Sequence, residues 1–211
     1  MHIQPIFAID QRGELHEFIR AYPLATIFAA TGEDANLLPL ELLEDGEHGR
    51  LCGHVAKDHS LLRTSPDGSG VTLVFQSPNA YISPRWYING QRSGRLAPSW
   101  NYVAVQVRGN VRFVRDGPWM SSHLARLIAS QEAGRDNAWS IDEVSPDFLQ
   151  HACERLVGFE IDIVEMSGKR FLSQQRTEAD RRNLIRTLAL EESQSAKAVA
   201  ALIQAWSEPP Q

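Results

Sequence analysis

Three short stretches of this chain gather the residue types that can hold an anion and a flat ring. Residues 53–60, GHVAKDHS, put Gly53, where backbone can approach a ligand closely, beside the donors His54 and Lys57 and the hydroxyl of Ser60. Residues 98–102, PSWNY, supply Trp100 and Tyr102 as walls and Asn101 as a paired donor and acceptor. Residues 167–176, SGKRFLSQQR, add Lys169, Arg170, Arg176, Ser173, Gln174 and Gln175. A flavin mononucleotide asks for such a set: a cationic or hydroxyl-rich cradle for its phosphate, amides for its pyrimidine edge, and aromatic or apolar walls for its ring. Stacking an aromatic side chain on a planar heterocycle contributes about 1–3 kcal/mol. Hydrogen bonds from Arg or Lys to phosphate are stronger than neutral ones. Each stretch also has a plainer reading, because Trp and Tyr often sit half-buried in sheets and a Lys-Arg pair at a strand end is usually a solvated turn.

Other chemistries find less support. Of the seven histidines only His54 and His59 lie close in sequence, and a separation of five suits neither one helical face nor one strand face. The expectation is therefore no metal. Ser83, Ser93 and Ser99 lie near aromatic residues, but none sits in a G-x-S-x-G elbow. Cys52 stands two residues before His54 on a strand and reads as a small buried side chain rather than a nucleophile. Neither a G-x-G-x-x-G after a strand nor a Walker A sequence is present.

The elements that must position these residues are mostly short strands. Apolar–polar alternation marks strands at LATIFAA (24–30), RLCGHVA (50–56), VTLVFQ (71–76), NYVAVQVRGNVRFV (101–114) and LVGFEIDIVEM (156–166). NLLPLELLE reads as one strand with Pro39 inside it, and Gly109 reads as a bulge or bend. TGEDA, EDGEHG and SPDGSG are turns. Helices are expected over roughly 10–21 with Asp10 as cap, near 118–132, from Ser145–Pro146 to about Leu156, after Thr177, and over SAKAVAALIQAW, with a frayed SEPPQ tail. Short hairpin-broken strands without a βαβαβ rhythm argue for an antiparallel sheet or barrel capped by helices, a mainly β (α+β) fold.

At 211 residues, 43% hydrophobic and 22% charged, the chain can form a substantial core. It reads as a single domain, 1–211, with residues 177–206 as a helical appendage. The net charge of −5 disfavours non-specific binding to nucleic acid or an anionic membrane. The apolar runs are too short to span a bilayer, and MHIQPIFAID does not read as a signal peptide. With two cysteines, Cys52 and Cys153, expected as free thiols, the expectation is a cytoplasmic protein.

Longer motifs carry a family resemblance. LCGHVAKDH, FQSPNAYISPRWY, PSWNYVAVQVRG, LVGFEIDI and FLSQQR stand in the order found in PaiB-type proteins, the FMN-binding negative transcriptional regulators. The resemblance runs from IQPIFAID to RRNLIRTL. It implies an antiparallel FMN-binding split β-barrel and a homodimer with FMN at the subunit interface. The cofactor contacts it implies fall on Asn36, Gly53, His54, Val55, Ala56 and Lys57, on Tyr81, Trp100, Asn101 and Tyr102, and on Lys169, Ser173 and Gln174. Three positions depart from the family pattern: Leu37 and Asn79 each stand where a histidine is usual, and Phe171 where a lysine is. Strand parity puts Lys169 on the face of Phe171 and Arg170 on the other.

The family description makes DNA a candidate partner. The one helix-turn-helix candidate is TEADRRNLIRTLALEESQSAKAVAALIQAW, whose second helix carries only Lys197 among Ala, Val, Leu and Ile. A recognition helix needs polar and basic groups in its exposed first turns, so this helix reads as one that packs. The reading is a flavin-binding or flavin-sensing regulator. An NAD(P)H-linked, flavin-dependent oxidoreductase is the alternative, in which the cofactor carries the redox chemistry and the protein orients it.

Overall fold

The computed structural model describes residues 1–89 and 97–207; Ser93 and the last four residues of the tail lie outside that range. The chain divides into two compact units. The first is built from Met1–Asp10, Gln76–Val105 and Ser167–Gln211, and the second from Gln11–Phe75 and Gln106–Met166.

The second unit holds an antiparallel sheet. Its strands are β2 (Leu24–Phe28), β3 (Ala35–Pro39), β4 (Glu41–Leu43), β5 (Arg50–Ala56), β6 (Gly70–Gln76) and parts of β8 (Ser99–Val114) and β9 (Leu156–Phe171). They run in the order β3-β2-β6-β8-β9-β5-β4, with β3 and β4 as the edges of an open sheet. NLLPLELLE is thus two strands, since Leu40 between them leaves the ladder and its N–H bonds the Pro23 carbonyl. β5 pairs with β9 from Arg50↔Asp162 to Ala56↔Leu156. Alternation does the rest: Leu51, Val55, Leu73, Phe75, Val107, Phe159 and Ile161 are buried on one side.

Two glycines of this sheet explain themselves by close approach. Gly109 sits inside a continuous β8, not at a bulge, and a Cβ there would lie 2.6 Å from Ile161 Cγ2. At Gly158 a Cβ would lie 2.8 Å from Trp119 Cε3, so the missing side chain is the seat of that indole. Around the sheet lie α1 (Arg12–Ala21), α2 (Leu61–Thr64), α3 (Gly117–Glu132) and α4 (Pro146–Cys153). The residue preceding α1 is Gln11, and no side chain caps that helix, so Asp10 does not take the expected role. Asp116 does cap α3, its carboxylate accepting from Trp119 N at 2.7 Å, with Pro118 in the first turn where no N–H is missed.

The first unit contains β1 (Ala8–Ile9), paired with the Gly168–Lys169 end of β9, and β7 (Ala80–Ile82), paired with Ser99–Asn101 of β8. Its helices are α5 (Glu178–Leu190) and α6 (Gln194–Ser207). Thr177 caps α5 by accepting from Asp180 N. α6 buries Ala196, Val199, Ala200 and Ile203, the packing face its sequence forecast. Among the described residues no helix is long and apolar enough to cross a membrane.

Candidate functional site

In the first unit the expected residues form a buried polar hub and an aromatic rim. Asn101 is fully buried on β8, because strand parity turns it inward between the outward Trp100 and the half-buried Tyr102. Its Nδ2 donates to Ser173 Oγ at 3.1 Å, and the Tyr87 hydroxyl lies 3.0 Å from the same oxygen. Ser173 holds that position just past the end of β9 with a left-handed backbone, φ 62°, the only non-glycine residue with positive φ among those described. Gln174 folds back so that its Oε1 accepts from Leu172 N at 2.8 Å.

The rim is more exposed. Trp100 is half-exposed and meets Tyr81 edge-on at 6.0 Å, while its indole N–H donates to Asn79 Oδ1 at 2.8 Å. Asn79 therefore has work of its own: its backbone also exchanges bonds with the Ser195 hydroxyl of α6. Lys169 and Phe171 share a face, as parity requires, and the Lys169 ammonium stands 5.6 Å from the Tyr102 ring and 5.5 Å from that of Phe171. Arg176 lies over Tyr87 at 4.6 Å, with its Nε buried and unpaired among the described residues.

In the second unit Gly53, His54, Val55, Ala56 and Lys57 are consecutive at the end of β5, and the strand divides them by face. A Cβ on Gly53 would lie 2.8 Å from Leu40 Cδ2, so Gly53 serves close packing of the core. His54 projects to the opposite face, beneath α3. Lys57, just past the strand, has an exposed ammonium with no ion-pair partner among the described residues. It lines a cavity of about 670 Å³ with Met120, Leu149, Cys153 and Leu156, a volume within the range of small-molecule sites. Asn36 stands on the edge strand β3, at the other end of the strand order, with a buried Nδ2 that has no partner among the described residues.

Sequence spacing missed what His54 meets. Its Nδ1 lies 3.1 Å from Nε2 of His123, whose Nδ1 lies 3.0 Å from Glu41 Oε2. Arg126 grips the same carboxylate with Nε at 2.6 Å and Nη2 at 3.2 Å. His123 is fully buried, with the Trp119 ring stacked on it at 5.1 Å and 23°. The Trp119 N–H donates to Glu160 at 2.7 Å, a buried carboxylate that Arg112 and Arg50 also engage. The available signal was that Trp119, His123 and Arg126 share one face of α3 at helical spacing; nothing in the sequence tied that face to Glu41 or His54.

The electrostatics follow from this packing. Burial pushes the Glu41 carboxyl up, but hydrogen bonds and charge from His123 and Arg126 outweigh it and hold the group below its ordinary value. Burial, with His123 beside it, lowers His54, which is neutral at pH 7. Burial, with Glu160 and Glu41 nearby, pushes the Cys52 thiol up to about 12, so it is no nucleophile. Cys52 and Cys153 are both free.

Each unit by itself offers donors of the kind a flavin nucleotide requires. Among the described residues, Asn36 Nδ2 in the second unit is a buried amide donor lacking an acceptor, which a pyrimidine carbonyl would supply, and Lys57 is a cation with no ion-pair partner. In the first unit Arg176 Nε is a buried donor lacking an acceptor among the described residues. The residues present fit the group.

Comparisons with known proteins agree. A family model described as "Putative FMN-binding domain" matches residues 1–165. The chain is 31% identical over 206 residues to the protease synthase and sporulation protein PAI 2 of Bacillus subtilis (strain 168), covering 97% of each. It is also 31% identical over 107 residues to an uncharacterised protein of Saccharomyces cerevisiae, covering 49% of this chain and 63% of that one. Two solved structures share the fold. The flavocytochrome Anf3 from Azotobacter vinelandii has a TM-score of 0.56 at 14% identity, over 80% of this chain and 72% of that one. A FAD and heme binding protein from Mycobacterium smegmatis has a TM-score of 0.53 at 15% identity, over 78% and 73%. The chain belongs to the PaiB-type family of FMN-binding split-barrel proteins, whose cofactor is FMN.

Proposed function

We propose that this chain is a cytoplasmic, flavin-binding regulator that works as a homodimer with FMN at the subunit interface. The observation that carries the flavin part is the buried, unpartnered Asn36 Nδ2 in a chain of this family, since such a donor is costly unless a ligand accepts from it. When bound, FMN supplies one- or two-electron redox chemistry and a coloured reporter of it. The chain's own residues bind and orient it. In the second unit, taken by itself, Asn36 offers a donor to a ring edge and Lys57 a cation to a phosphate. In the first unit, taken by itself, Trp100 and Tyr102 offer aromatic walls, and the Asn101–Ser173 hub sets the local backbone. In the first unit Lys169 supplies a further donor, and Tyr81 supports Trp100.

The regulatory part is supported by the relative that spans nearly the whole chain, which is named for protease synthesis and sporulation, processes rather than a substrate. A DNA partner would meet α5, whose exposed face carries Arg182 and Arg186, because α6 spends its apolar face on packing.

Titrating FMN into the purified protein tests the reading. Saturable quenching of flavin fluorescence and a dimeric mass by light scattering are expected at micromolar concentration. Unquenched flavin removes the cofactor role, and a monomeric FMN complex removes the interface. Lys57→Ala should weaken FMN binding about 10–100-fold if a charged hydrogen bond of about 1.5–3 kcal/mol is lost. Steady NADH oxidation by the loaded protein would replace the regulator reading with the oxidoreductase one.

A further inference from the structure

The Arg126–Glu41–His123–His54 chain of the second unit belongs to none of the roles described so far. We infer that it is a one-proton relay: His54 Nε2 is a base open to ligand, and the proton it takes is stored on buried His123 against Glu41.

Geometry fixes the tautomers in order. Arg126 holds Glu41 through both carboxylate oxygens, so Glu41 is ionised and can only accept. His123 Nδ1, 3.0 Å from that carboxylate, must carry a proton, because a lone pair there would face the oxygen's own. A neutral His123 then presents a bare Nε2 to His54. Across 3.1 Å, His54 Nδ1 must be the donor, which leaves His54 Nε2 unprotonated. That nitrogen has no hydrogen-bond partner among the described residues. It is also absent from their buried unpaired side-chain atoms, which are Asn36 Nδ2, Ser69 Oγ, Arg176 Nε and Arg181 Nε. It therefore reaches solvent, while the fully buried His123 does not.

The proton balance is simple. A weak N–H or O–H acid gives its proton to His54 Nε2, and the Nδ1 proton of His54 passes to His123 Nε2. His54 ends neutral in its other tautomer. His123 ends as an imidazolium bonded to the Glu41 carboxylate, and the acid leaves as its anion. A second proton would set two N–H groups face to face, so the pair takes one in a single step.

The remaining charged and titratable groups on the elements around the pair do not compete. Arg50 and Arg112 are engaged by Glu160, Asp162 also pairs with Arg50, and the Cys52 thiol stays protonated. The stacked Trp119 keeps His123 in the plane that both bonds need. The relay does not depend on where FMN binds.

Nitrogen-15 NMR of the histidine rings tests this on the full chain, with His54→Gln and His123→Gln identifying the two among seven. At neutral pH both rings should be protonated on Nδ1 alone, and on acidification both should shift with one shared midpoint. Glu41→Gln should replace the single His123 tautomer by a mixture, since an amide can donate or accept. His54→Gln should leave the His123 tautomer intact, because Glu41 sets it. His123 protonated on Nε2 when neutral, separate midpoints, or tautomer scrambling in His54→Gln would each overturn the relay. Should Glu41→Gln not fold, the wild-type titration and His54→Gln still decide.

Discussion

Removing the Ser173 hydroxyl separates two forces that the hub combines. Ser173→Ala leaves Tyr87, fully buried, and Asn101 Nδ2 without the oxygen they meet at 3.0 and 3.1 Å. Neither can turn to water, and an unsatisfied buried donor costs about 1–3 kcal/mol. The two together predict a loss of about 2–6 kcal/mol. Alanine also keeps the strain of a Cβ at φ 62°. Ser173→Gly deletes the same hydroxyl but relieves that strain, by about 1–2 kcal/mol for a left-handed L-residue. Glycine's larger unfolded-state freedom returns about 0.5–1 kcal/mol of this.

The expected order of stability is therefore wild type, then Ser173→Gly, then Ser173→Ala, with glycine ahead of alanine by about 0.5–1 kcal/mol. Urea unfolding of the flavin-free protein at pH 7, with the slope compared across the three proteins, reads this without a ligand contribution. An alanine variant within about 0.5 kcal/mol of wild type would refute the hydrogen-bond hub. An alanine variant at or above the glycine one would refute the backbone argument.

Gly158→Ala should cost about 1–3 kcal/mol by overpacking, because the new Cβ falls 2.8 Å from Trp119 Cε3, and thermal unfolding measures it. In thiol labelling of the native protein Cys153 should react first, and Cys52, buried with its pKa about 12, only on unfolding; early loss of Cys52 contradicts its placement. Acid should destabilise in two stages of the same sign. His54 is depressed, so the unfolded chain binds the extra proton and stability falls as pH drops below its ordinary 6.5. Glu41 is also depressed, so its contribution is full above 4.5 and lost as pH falls through the folded value. Urea midpoints across pH should show both stages, with the second missing in Glu41→Gln.

What the sequence made legible was whatever period two controls. RLCGHVA is β5 to the residue, and the NYVAVQVRGNVRFV and LVGFEIDIVEM strands form as expected, with β9 running on to Phe171. Gly109 was misjudged because a glycine inside a strand has two physical causes, a bend or a close neighbour, and only Ile161 across the ladder tells them apart. Asp10 failed as a cap for a similar reason: Gln11 occupies the capping position one residue later, and the choice between adjacent starts depends on how the chain enters the helix.

The site divides along the same line. Asn101 could be paired with Ser173 only by knowing that β8 and the end of β9 meet, a separation of 72 residues that no local pattern encodes. The relay is harder still, joining β4, β5 and α3 across 69 and 82 residues. Yet strand parity contained half of it. In GHVAKDH the even residue His54 must face away from Gly53 and Val55, so a stretch that looks like one continuous cradle serves two faces of the sheet. One face packs Gly53 against Leu40, and the other sends His54 toward α3. A ligand lying along this strand meets only one of those faces, which is why changes at Lys57 and at His54 should separate: the first in FMN affinity, the second in proton uptake.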